Sequence, residues 1–98
     1  MNLDKSKKRI AKKVKMGFQG YPTIEIAYFG ANETLATVVT LQLVVEEGAA
    51  PLTEKFVTEG EIRNDETIQS AIVKMIERSG AQTVTQKDGV SLYSEKPA

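Results

Sequence analysis

The sequence predicts an α+β domain. Its antiparallel β-sheet runs in the order β-β-β-α-β-β, one amphipathic helix packs on one face, and a basic N-terminal arm or short helix comes first. Three observations carry this. Residues 23–59 hold three strand-like runs broken by turn residues. Residues 68–76 place apolar side chains at helical spacing, and residues 81–94 place extended runs on either side of an Asp-Gly pair.

The arm comes first. Leu3, Ile10 and Val14 fall at i, i+7 and i+11, a thin apolar stripe of helical period. Asp4 suits an N-cap or first turn, Lys12, Lys13 and Lys15 suit a last turn, and Gly17 suits a stop. Against this, Lys8/Lys12 and Arg9/Lys13 are like-charge pairs four residues apart. A helix of this length is marginal alone in water, so the expectation is a conditional helix over residues 1–16, ordered by docking or by a ligand.

Thr23 to Phe29 alternates, with Ile24, Ile26 and Tyr28 on one side and Glu25, Ala27 and Phe29 on the other, as a half-buried strand does. Gly30 to Glu33 supplies a turn. From Leu35 to Val45 the odd positions are almost wholly apolar and β-branched residues are frequent, which predicts a long central strand. Leu52 to Glu59 reads as an edge strand with Leu52 and Phe56 on one face. Its pairing partner is left open.

The helix after it has the strongest pattern. Ile68, Ala71, Ile72, Met75 and Ile76 form one continuous apolar stripe, Asn64 or Asp65 can cap it, and Gly80 can end it. Ala81–Gln86 and Val90–Ser94 around Lys87-Asp88-Gly89 then predict a β-hairpin. The organisation expected is an arm over 1–16, a single domain over 17–94 and a frayed tail over 95–98.

Ninety-eight residues suit one small domain with a modest core. Charged residues are 27% and hydrophobic ones 41%, which is globular composition. The chain has no Cys, His or Trp, which excludes Cys/His zinc sites, disulfides, thiol nucleophiles and histidine bases. No cofactor and no metal are expected. The carboxylate pairs Glu46/Glu47, Glu59/Glu61 and Asp65/Glu66 fall in turns or at a helix start, where solvation is the norm, so no catalytic residue is assigned. Leu35–Val45 is too short and polar to span a membrane, and no apolar run of signal-peptide length follows the basic N-terminus. A cytoplasmic protein with no membrane insertion is expected.

Net charge is zero but unevenly spread. Residues 1–15 carry Lys5, Lys7, Lys8, Arg9, Lys12, Lys13 and Lys15 against Asp4 alone, a balance of +6, and residues 16–98 carry −6. Such a segment can bind a polyanion, fold onto its own acidic body, or pair with a second copy.

Gly17-Phe18-Gln19-Gly20 spells the G-x-x-G of a KH domain, but Tyr21-Pro22 and a strand follow it where that domain has a helix. The order helix, three strands, helix is similar in outline to a double-stranded-RNA-binding domain. That class starts its last helix with a basic stretch, whereas Arg63-Asn64-Asp65-Glu66 is net acidic, so the likeness ends at the outline. Phe18, Tyr21, Tyr28 and Phe29 lie close together in sequence. They suit core or interface, or stacking on single-stranded bases.

A single short helix cannot cover five strands. Either the N-terminal helix covers the rest of the sheet or a second subunit does, and the function expected is a non-enzymatic protein-interaction domain, self-associating as a homodimer or binding another protein. The alternative is nucleic-acid binding through the seven cations of the arm.

Overall fold

The computed structural model describes residues 2–92. The expected tail at 95–98 and the end of the last expected strand lie outside them. The elements are α1 (Leu3–Lys15), β1 (Thr23–Gly30), β2 (Val38–Val44), β3 (Leu52–Val57), a 3-10 turn (Ile62–Asn64), α2 (Glu66–Ser79) and β4 (Thr83–Leu92). The four strands form one mixed sheet in the order β3-β2-β1-β4.

This corrects the purely antiparallel β-β-β-α-β-β sheet with one helix. β1 pairs antiparallel with β2, and β2 with β3, but β4 runs parallel to β1. The physical reason lies in α2. A parallel return needs a crossover of a dozen or more residues, and the turn and helix between β3 and β4 supply it. The expected hairpin is absent as well. Lys87, Asp88 and Gly89 interrupt the ladder, where Ile26 pairs with Gln86 and Tyr28 already with Val90. Gly89 has φ +69°, a conformation that suits a bulge and costs glycine little. The register shift is even, so the strand's alternation is preserved and Val84 and Val90 both stay on the helix-covered face.

Ile24, Ile26, Tyr28, Val39, Leu41 and Val84 face the helices and are essentially buried. Two helices cover this face. α1 is ordered and docks by Ile10, 3% exposed, and by Ser6, whose hydroxyl lies 3.2 Å from that of Ser70 on α2. Asn2, rather than Asp4, caps α1 by accepting from the Lys5 N–H. Asp65 caps α2 by accepting from Ile68, and Gly80 ends it at φ +69°. With α1 in place, the uncovered helix-side face that argued for a second subunit is occupied from within the chain. β3 is the edge strand expected, and its partner is β2.

β1 leaves the sheet at Gly30, which is buried. A Cβ there would run into the carbonyl oxygen of Leu35. Gly30→Ala must therefore push the 31–36 loop off the sheet, and a loss of at least about 1–3 kcal/mol in urea unfolding is expected. An unchanged midpoint would show that the loop has room to give.

Candidate cationic groove

α1 divides its residues by face. Ser6 and Ile10 are buried and Leu3 and Val14 half-buried against the body. The same 3.6-residue period puts Lys5, Lys8, Lys12 and Lys15 at i, i+3, i+7 and i+10 on the opposite face, all exposed. This stripe runs about 15 Å along the helix axis.

The other three cations point elsewhere. Arg9 pairs with Glu77 of α2 at 3.0 Å. Lys7 donates to the Asn64 side chain at 3.1 Å, and Lys13 reaches the Ala81 carbonyl at 3.4 Å. Among the described residues, Arg9 is therefore the one cation of α1 that meets a carboxylate within salt-bridge distance. The acidic body does not neutralise the helix docked on it.

Beside α1 lies an open groove of about 1110 Å³. Lys7, Lys8, Lys12 and Lys15 line its α1 side, and Arg63 and Asn64 lie across it. Ile10, Val14, Tyr28 and Leu35 give it apolar surface, and Gln69 and Gln86 add amides. Among the described residues its one carboxylate is Glu61. That group accepts both Nε and Nη2 of Arg63 at 2.7 Å, the Arg63 N–H at 3.1 Å and the Ala36 N–H at 3.1 Å. Chiefly through the Arg63 hydrogen bonds, the Glu61 carboxyl is held down at about 2. The same pair raises the Arg63 guanidinium. The fork makes this pair neutral in sum and leaves the lysines to set the sign of the groove.

Tyr28 is 5% exposed, and its hydroxyl accepts from Gln69 Nε2 at 3.2 Å. Burial pushes its phenol up. Gln69 also donates to the Ile62 carbonyl, which ties α2 to the 3-10 turn. These bonds fix the groove wall in place.

Of the seven cations singled out in the sequence, the fold gathers Lys7, Lys8, Lys12 and Lys15 along the groove. It leaves Lys5 on the outer stripe and turns Arg9 and Lys13 toward α2 and its C-terminal end. Sequence reasoning missed Arg63, Asn64, Gln69 and Gln86 as groove residues, and it offered Tyr28 for the core, an interface or base stacking but not for this wall. They come from three further elements and the turn before α2, and no local spacing links them. Arg63 in particular sat inside a stretch read as acidic. No protein-family model matches the chain, and no curated protein or solved structure matches it either.

Proposed function

We propose that this domain binds nucleic acid through the exposed face of α1 and the groove beside it. One observation carries the reading: six of the seven cations of α1 form no ion pair with a described carboxylate, and four of them form a single exposed stripe. A helix that docked merely to neutralise the −6 body would place its lysines against those carboxylates. Here α1 docks chiefly through apolar and small side chains, and four of its cations face outward. Phosphates spaced along a strand are a natural counterpart for such a row. A cytoplasmic setting suits this reading, and among the described residues no helix is long and apolar enough to cross a membrane.

The test is a titration of labelled oligonucleotides with the full chain at several salt concentrations. If the four stripe lysines each neutralise one phosphate, the log–log salt slope is about −3.6 on duplex DNA and about −2.8 on a single strand. Between 50 and 200 mM salt the duplex affinity then falls about 150-fold. Absence of binding at 50 mM salt would sink the reading.

Self-association through the edge strand β3 is a second reading. It rests on Leu52 and Val57, which are 62% and 63% exposed on a strand with one unpaired edge. Sedimentation at rising concentration decides it, since a mass fixed at the monomer value removes it.

A further inference from the structure

Two aromatic rings stand on the loop that follows α1. Phe18 is 67% exposed and Tyr21 is 39% exposed, and their centroids lie 5.6 Å apart with planes at 76°, an edge-to-face pair. Of the four aromatics clustered in this part of the sequence, Tyr28 is buried and Phe29 half-buried. Only Phe18 and Tyr21 are turned outward.

The loop that carries them is stitched down. The Thr83 hydroxyl, 2% exposed, accepts from the Gln19 N–H and donates to the Gly20 carbonyl, both at 2.7 Å. The Gln19 side chain donates to the Met16 carbonyl at 2.9 Å, and the Pro22 carbonyl accepts from the Gln82 N–H at 2.8 Å. Four bonds, one before Phe18 and three after it, therefore hold the backbone around an exposed phenyl ring. Exposing an aromatic of this size to water is unfavourable, and fixing its loop removes the option of tucking it away. A ring held out this way is preorganised for a flat partner.

We infer that the Phe18–Tyr21 knuckle stacks an unpaired base, so that the nucleic acid recognised along α1 is single-stranded. The inference rests on the reading of α1 as a nucleic-acid surface and adds the substrate class. Phe18 follows Lys15 by three residues, so a strand whose phosphates track the stripe arrives at the ring with a base to place. Duplex bases are already stacked on each other and offer the ring no face. Lipid is the weaker match, because the apolar side of α1 is spent on the core. Ile10 and Val14 pack inward, and an interfacial helix needs that face free.

The experiment measures binding of the full chain to labelled oligothymidylate of about 20 nucleotides, longer than a usual site of about 4–16. A random duplex of equal length and phosphatidylserine vesicles are run beside it. Phe18→Ala is expected to weaken oligothymidylate binding by about 5- to 150-fold and to leave duplex binding within about twofold. Phe18→Leu, which keeps an apolar side chain but no ring, is expected to lose as much. Because the ring is exposed, both variants should melt with the wild type. Equal binding by wild type and Phe18→Ala to the single strand would overturn the stacking assignment while leaving the lysine stripe standing. Failure of the wild type to bind either oligonucleotide overturns both readings. Vesicle binding that depends on Phe18, without oligonucleotide binding, assigns the knuckle to a membrane surface instead.

Discussion

Replacing Lys5, Lys8, Lys12 and Lys15 together by glutamine is expected to remove nearly all nucleic-acid affinity while leaving the fold intact. The size of the loss follows from counterion release. Four phosphate contacts account for a factor of roughly 4000 on duplex DNA, or roughly 600 on a single strand, between 1 M and 0.1 M salt. Without them the salt slope should flatten toward zero. Stability should change little, because all four side chains are exposed and glutamine is nearly as good a helix former as lysine. Loss of the Lys8/Lys12 repulsion should offset part of the dipole stabilisation given up when Lys12 and Lys15 leave the last turn.

A comparison of two double variants separates geometry from bulk charge. Lys8→Gln with Lys12→Gln takes two charges from the stripe, and Arg9→Gln with Lys13→Gln takes two from the flank facing α2. The first pair should lower the slope by about 1.8 on duplex DNA, the second by much less. Equal effects would mean that net charge alone matters and that the stripe is incidental. Deleting residues 1–15 is a poor substitute for these variants. Ile10 is 3% exposed within the main core, so the truncated chain would lose packing as well as charge.

Much of this surface could be read from the sequence. The period that places Leu3, Ile10 and Val14 inward also dictates that Lys5, Lys8, Lys12 and Lys15 share the opposite face. The stripe and caps of α2 were equally legible, because a long amphipathic helix announces both its face and its ends. Legibility failed where the answer depended on which strands become neighbours. The Asp-Gly pair at 88–89 is a strong local hairpin signal. It lost to a non-local option: pairing beside β1 satisfies both halves of 83–92 and buries Val84 with partly buried Val90 under the helices. The groove was hidden for the same reason. Tyr28, Arg63, Gln69 and Gln86 meet only because β4 returns beside β1 and α2 crosses above them.

Glu61 provides the second large effect, and its sign is opposite in the two measurements. The carboxylate joins the β1–β2 loop to the 3-10 turn by accepting the N–H of Ala36, a fully buried residue, and it also occupies the fork of Arg63. Glu61→Ala leaves that buried donor without its partner, and a loss of about 2–3 kcal/mol is expected in urea unfolding. Glu61→Gln keeps an acceptor and should cost less, about 1–2 kcal/mol. The pH dependence follows from the direction of the shift. The folded carboxyl titrates at about 2, below its ordinary value of 4.5, so its stabilising contribution is complete above the ordinary value and is lost as pH falls toward about 2. Glu61→Gln should lack that step and unfold with a flatter profile through this window. Binding should move the other way. Removing the one described carboxylate of the groove frees Arg63 to meet a phosphate, which adds about 0.9 to the magnitude of the duplex slope and about eightfold to affinity at 0.1 M salt. A variant that is less stable yet binds more tightly cannot be explained by partial unfolding. If Glu61→Gln instead binds more weakly in proportion to its lost stability, Arg63 takes no part in the site and Glu61 serves the fold alone.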